Sequence, residues 1–332
     1  MHIELGLDTF GDITPDATHA EVIRNVVEEA VLADALGIDF IGLGEHHRPD
    51  FAISAPEIVL AAIASRTTRI RLGTSVTVLS TDDPIRVFER FSTLNAVSNR
   101  RAEIILGRGS FTESFPLFGF DLNDYETLFE EKVGRLAKAL ESDRTGSGQR
   151  VYPPLGPAGL KVWIGVGGSP ESVVRAARYR FPLMLAIIGG DPARFRPYVD
   201  LYERTLGQLG SERLEVGVHS PGHVADTDDE AKEQLWPAYR EMRNRIGRER
   251  GWPPTSRAEF EREVEEGSLY AGSPDTVARK IASTTRLLGL SRFDLKYSSG
   301  PLRHDWMLRS IELYGREVIP RVRELATSQI LP

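Results

Sequence analysis

The chain has 332 residues, 41% apolar and 27% charged, with a formal charge of −7 and no cysteine. This is the composition of a water-soluble globular fold with a large core, and its acidic balance argues against nucleic acid or an anionic membrane surface as partner. The absent cysteines exclude disulfides, thiolate metal sites and a cysteine nucleophile. No basic stretch followed by an apolar one opens the chain, and no apolar run approaches the ~20 residues that span a bilayer. A cytoplasmic location is therefore expected.

Strand-like and helix-like segments alternate along the chain. Ile3–Thr9 is short and apolar. From Ala17 to Leu36, apolar residues recur at Val22, Val26, Ala30, Ala33 and Leu36, a helical stripe that Gly37 closes. Asp39–Gly44 precedes a helix over about Ala55–Arg66. Ile70–Leu79 precedes one starting at Asp83-Pro84, a capping carboxylate followed by proline at the first helical position. Ala102–Leu106 pairs with Tyr125–Leu140, Lys161–Val166 with Pro170–Arg178, and Leu183–Ile188 with Pro192–Leu209. Leu214–His219 leads into a long polar helical stretch and then Pro274–Leu288. Phe293–Ser298 leads into a last helix over His304–Leu325.

Eight units of apolar strand and following helix imply a parallel sheet covered on its outer face. The count favours a (β/α)8 TIM barrel, one domain over 1–332, with its active site at the carboxyl ends of the strands. Three stretches exceed what such a barrel needs: Ser110–Asp124, Asp143–Gly159 and Asp226–Ala271. The first and third leave strands four and seven and are read as insertions beside the mouth. Residues 226–271 fit a lid and a solvated helical excursion equally well.

The strand ends carry the chemistry. Glu45-His46-His47 follows the second strand, where a carboxylate can orient a histidine that carries a proton; two histidines filling polar space is an equal reading. The pair alternates in direction along a strand, so a shared metal ion is not expected. Gly107-Arg108-Gly109-Ser110 combines backbone freedom, a fixed cation and a hydroxyl, as an anion site would and as a plain turn also does. Gly167-Gly168-Ser169-Pro170 opens a helix and offers free amides to a phosphate. Gly272-Ser273-Pro274 repeats that pattern with no strand expected before it, and the residues alone do not choose between the two turns. His219-Ser220-Pro221-Gly222-His223 closes the seventh strand. Lys296, in the eighth, has the place of a Schiff-base lysine, with an amine facing a polar mouth as the plainer reading. No dinucleotide fingerprint, P-loop or nucleophile elbow occurs.

Gly44–His47, Ile70–Pro84, Arg86–Asn99 leading into Arg101–Ser110, and the Val166–Ser172 turn, in this order and spacing, resemble the bacterial luciferase-like, flavin-dependent monooxygenases. The resemblance runs over nearly the whole chain. It implies a single barrel, commonly a homodimer, that binds reduced FMN and dioxygen at the strand carboxyl ends. It implies that Glu45 and His46 stand beside flavin and substrate, with His46 the acid/base. Ser75 and Val76 would lie against the isoalloxazine ring, often joined by a non-proline cis peptide. Arg108 with Gly109 would stand near the ribityl phosphate, and Gly168 with Ser169 would bind it, which selects the first of the two turns. By their place on loops, Phe10, Phe111, Phe115 and Phe118 fit a dry wall, and a core role for some of them fits equally well. Lacking a nicotinamide domain, the chain would take reduced flavin from a separate flavin reductase and oxidise a small-molecule substrate. The cysteines that luciferases carry near the flavin are missing, so light emission is not expected. Relatives that transfer hydride through a deazaflavin, or bind flavin without turnover, are the alternatives.

Overall fold

The computed structural model describes residues 3–109 and 111–327; Ser110, the hydroxyl of the fourth-strand motif, lies outside them. The strands are β1 (Glu4–Thr9), β2 (Phe40–Leu43), β3 (Arg71–Thr74), β4 (Thr77–Val78), β5 (Glu103–Gly107), β6 (Lys161–Val166), β7 (Leu183–Ala186), β8 (Val216–Val224), β9 (Tyr270–Gly272) and β10 (Arg292–Lys296). They pair in the order β3-β2-β1-β10-β8-β7-β6-β5-β4, all parallel. Leu72 of β3 bridges Ala102 just ahead of β5, its amide 2.8 Å from the Arg101 carbonyl, and this closes the ring. β3 and β4 share one barrel position, so the closed sheet is an eight-position TIM barrel, with β9 added to the far end of β8.

Two expectations are corrected here. Ile70–Leu79 is not one strand: it breaks at Ser75–Val76, whose peptide bond is cis. The turn at Gly272-Ser273 does follow a strand, the three-residue β9, too short to show in an apolar pattern.

The helices are α1 (His19–Leu36), α2 (Pro56–Ala64), α3 (Pro84–Val97), α4 (Ser114–Phe118), α5 (Tyr125–Ser142), α6 (Pro170–Arg178), α7 (Arg196–Gln208), α8 (Asp228–Arg250), α9 (Arg257–Glu265), α10 (Pro274–Leu288), α11 (His304–Leu313) and α12 (Ile319–Thr327). Local chemistry sets their starts. Thr18 and Glu21 form a capping box ahead of α1, and Asp83 accepts the amides of Ile85 and Arg86 at 2.9 and 3.0 Å ahead of Pro84. The last helix, expected to be continuous, is split by a π turn over Tyr314–Val318. Among the described residues no helix is long and apolar enough to cross a membrane.

The main core lies between sheet and helices, where Leu7, Ile41, Leu72 and Ile104 meet Val26, Ala30, Phe88 and Phe91. A second, smaller core fills the barrel itself with Phe40, Ile105, Trp163 and Met184. Those large side chains fit because glycines stand opposite them. A Cβ on Gly73 would come 2.7 Å from the Phe40 ring, and one on Gly217 2.6 Å from Met184 Cε. At the amino-terminal end the barrel is plugged by charge. Arg292, fully buried, donates to Glu103 at 2.8 Å and to Asp294 at 2.9 Å and lies 3.4 Å from the centre of the Phe40 ring. Trp163 Nε1 donates to the same Glu103 carboxylate at 2.9 Å. Burial pushes the Asp294 carboxyl up to about 7 despite Arg292 beside it. At the opposite end the strands carry Gly42, Gly107, Gly165 and Ala186, so the barrel opens where the side chains stop.

Candidate active site

The carboxyl ends of the strands surround a cavity of about 690 Å³. One wall is built around Val76, whose side chain occupies space that two glycines leave free. A Cβ on Gly107 would stand 2.3 Å from Val76 Cγ2, and one on Gly165 3.1 Å from its Cγ1. The hydroxyls of Thr74 and Thr77 hydrogen-bond across the break at 2.8 Å. Glu45 anchors the segment from outside: its Oε2 accepts the Val78 amide at 2.9 Å, while its Oε1 meets His47 Nε2 at 3.0 Å. Both oxygens are used, and neither reaches His46. The structure thus brings Glu45 to His47 and to β4 rather than to the histidine with which it was expected to act.

His46 is held by its amide, 3.0 Å from the Ile53 carbonyl, and its ring packs on Phe10, Phe51 and Phe111 at 4.6, 4.5 and 5.3 Å between centroids. Burial in this cage, then the cations Lys296 and Arg48, push the imidazole down to about 3. The cage favours the neutral imidazole, which donates a hydrogen bond at one nitrogen and accepts at the other. Phe10 and Phe111 line the cavity as expected. Phe115 does not; it is fully buried against Tyr125. Phe118 is half exposed and packs on His47. Phe51, absent from the sequence reading, completes the cage because an antiparallel bridge, Asp12 to Phe51, knits the loops after β1 and β2 together.

The mouth is crossed by ion pairs. The Arg48 guanidinium bonds Asp50 at 3.1 Å, Glu113 at the start of α4, and Glu249 at 2.5 Å near the end of α8. Arg245 of α8 reaches Asp50 at 3.1 Å, and the Arg250 guanidinium lies 5.4 Å from the Phe111 ring centre.

The other end of the cavity is polar. Gly167-Gly168-Ser169 turns from β6 into α6, where Ser169 Oγ accepts the Ser172 amide at 3.3 Å and donates to Glu171 at 2.8 Å. Arg108 leaves β5 toward the same end, pairs with Glu126 and lies 5.0 Å from the Tyr125 ring centre. The Tyr125 hydroxyl donates to the carbonyl of Gly109, whose φ of +82° suits glycine. Ser75, Val76, Arg108, Gly109, Gly168 and Ser169 therefore share one cavity with Glu45 and His46. The second turn does not line it. Its Ser273 amide is already taken by Asp228 at 2.6 Å.

Two groups deserve correction or addition. Lys296 is no free amine: its Nζ bonds Asp12 at 3.2 Å and the Ser298 carbonyl and packs on the face of Phe10 at 4.4 Å, outside the cavity lining. His219, in contrast, lines the cavity with its Nδ1 2.5 Å from Asp8 Oδ2 and its ring stacked on Phe10 at 6.0 Å. Only the strand register could have paired Asp8 with a residue 211 positions away.

A parallel barrel with one polar and aromatic cavity at its strand carboxyl ends has the form of a TIM-barrel enzyme. Residues 3–292 match the model of the luciferase-like monooxygenases, and the chain belongs to that family. It is 26% identical to 4-hydroxyprotoasukamycin monooxygenase from Streptomyces nodosus subsp. asukaensis, over 89% of this chain and 85% of that one. Its fold matches monooxygenase RslO1 from Streptomyces bottropensis (TM-score 0.84, 22% identity, 96% and 99% of the two chains). It also matches the oxygenating constituent of 3,6-diketocamphane monooxygenase from Pseudomonas putida in complex with FMN (0.80, 19%, 96% and 98%). A coenzyme F420-dependent tetrahydromethanopterin reductase from Methanopyrus kandleri shares the fold as well (0.71, 18%, 97% and 100%).

Proposed function

We propose that this protein is a monooxygenase that uses reduced FMN and dioxygen to oxidise a small organic substrate. The observation that carries this reading is a single cavity joining an apolar wall at Val76 to an anion-binding turn at Gly167–Ser169 backed by Arg108. The donor set fits a phosphate: a helix amino terminus, the Ser169 hydroxyl and a guanidinium. In the structure the carboxylates of Glu171 and Glu126 hold the Ser169 hydroxyl and the Arg108 guanidinium, and they would turn aside for a phosphate to take those donors. Gly167 has nothing within 4 Å of where a Cβ would stand, leaving backbone open to a ligand.

Arg108, Gly109, Gly168 and Ser169 would hold the flavin phosphate, with Ser75 and Val76 against its ring system. When bound, reduced FMN supplies the electrons that activate dioxygen. The chain's own part is to orient and to exclude water. Phe10 and Phe111, with Phe51 packed behind them, form the dry wall, and neutral His46 offers a hydrogen bond there without bringing a charge. The end of α8 and the loop around α4, tied together by Arg48, act as a lid over the mouth. The FMN complex of the camphane monooxygenase and the monooxygenase relative support this reading. A second copy of the chain as a homodimer, a flavin reductase as electron source and a cytoplasmic location belong to the same proposal.

The test is an anaerobic titration with FMN, riboflavin and a deazaflavin, each oxidised and reduced. We expect reduced FMN to bind tightest and Arg108→Ala to weaken FMN by roughly 10–100-fold, as loss of a charged hydrogen bond does, while leaving riboflavin unchanged. Preference for the deazaflavin would move the assignment to hydride transfer; flavin binding with no oxygen consumption on any substrate would leave a flavin-binding barrel.

A further inference from the structure

A base in this cavity needs a histidine whose second ring nitrogen is oriented by a carboxylate. The His46 ring is surrounded by Phe10, Phe51 and Phe111 with no such partner among the described residues, and His219 has one. It is 5% exposed, it lines the cavity, and its Nδ1 is fixed at 2.5 Å from the buried Asp8 carboxylate. Nδ1 must carry a proton to make that bond, so Nε2 has the free lone pair; it has no hydrogen-bond partner among the described residues. The charged neighbours of the ring are few. Asp8 faces it from β1, Asp294 is its register partner on β10, Lys296 lies beyond Phe10, and β7 contributes only Ala186. The surface beside it is aromatic: Phe10 stacks on the His219 ring at an interplanar angle of 17°, and Phe111 and His46 continue the wall, with Phe51 packed behind them.

We propose that His219, oriented by Asp8, is the catalytic base of this site and that the substrate is a phenol, whose ring lies on the aromatic wall and whose hydroxyl proton passes to Nε2. The O–H bond breaks and its electron pair stays on the substrate oxygen. The proton joins Nε2, and the Asp8 carboxylate compensates the charge of the ring. The phenolate left behind is electron-rich at its ring carbons, which suits transfer of an electrophilic oxygen atom from the dioxygen that the proposed reduced flavin would activate. The inference rests on this cavity being the oxidation site, but its test does not need flavin.

The probe is 4-nitrophenol, whose phenolate is yellow and whose neutral form is not. Bound dye is quantified by equilibrium dialysis and its absorbance is read at a pH where the free dye is mostly protonated. Wild-type protein is expected to bind the dye as phenolate. His219→Ala and the size-conserving His219→Gln are expected to bind it with roughly tenfold less phenolate per bound dye, and added imidazole to restore the band in His219→Ala. Asp8→Asn should fall between; circular dichroism confirms that each variant is folded. Failure of the wild type to bind the dye, binding only as neutral phenol, or an undiminished band in both His219 variants would overturn the inference. A chain that binds reduced FMN yet leaves the dye protonated defeats this inference alone. One that forms phenolate yet binds no flavin defeats the cofactor assignment alone.

Discussion

Replacing Gly107 by alanine drives a methyl group to 2.3 Å from Val76 Cγ2, in a wall with no slack. Overpacking of this kind costs about 1–3 kcal/mol. We expect Gly107→Ala to lower the thermal midpoint and flavin affinity together, and Gly107→Ala/Val76→Ala to recover most of the stability; a double variant as unstable as the single would mean the clash lies elsewhere. Glu45→Ala acts differently. It leaves the Val78 amide without its 2.9 Å acceptor, at a cost of about 1–3 kcal/mol, and frees His47. Denaturant unfolding and FMN affinity, measured side by side, should both report the loss. At this scale the sequence was legible only in part. The residues that line the cavity end their strands, so Ser75, Arg108 and Ser169 could be picked out by position and by resemblance. Asp8 and His219 could not be paired, because nothing local in a strand tells which distant strand lies beside it. Which of the two adjacent histidines the Glu45 carboxylate meets was not legible either, because they look alike until the backbone shows which one turns back.

Helices α1 and α11 are joined by a buried carboxylate. Glu29 accepts the Tyr297 hydroxyl at 2.5 Å and meets His304 Nδ1 at 2.9 Å, and this contact raises the imidazole above its ordinary value of 6.5. A group whose folded value is raised stabilises the fold fully below the unfolded value and ceases to as pH rises through the folded one. The thermal advantage of the wild type over His304→Gln should therefore be greatest below pH 6.5 and shrink as the pH climbs above it; a constant gap would mean that His304 contributes shape rather than charge. The elements themselves were largely readable. Lys161–Val166, Pro170–Arg178 and Pro274–Leu288 fall where apolar periodicity and proline caps put them. The misses have physical causes. Tyr270–Gly272 is too short to display a period, and apolar pattern alone does not mark the break at Ser75–Val76, where only the resemblance suggested a cis peptide.

Across the whole molecule, Arg48, held by Asp50 of its own loop, ties the loop after β2 to the start of α4 and to the last turn of α8 through two carboxylates, Glu113 and Glu249. If that junction holds the lid, Arg48→Ala should speed hydrogen exchange roughly tenfold or more in residues 240–251 and 111–118 while leaving the barrel strands protected. Equal exchange in both proteins would assign the closure to Phe111 and the apolar contacts instead. The charged plug of Arg292, Glu103 and Asp294 has a kinetic meaning of its own. A barrel stoppered at one end is a vessel open at its neck, so the cofactor, oxygen, substrate and product of the proposed reaction would share that route and queue. Whatever enters first and sits deepest leaves last, and turnover would be paced by how quickly the neck clears.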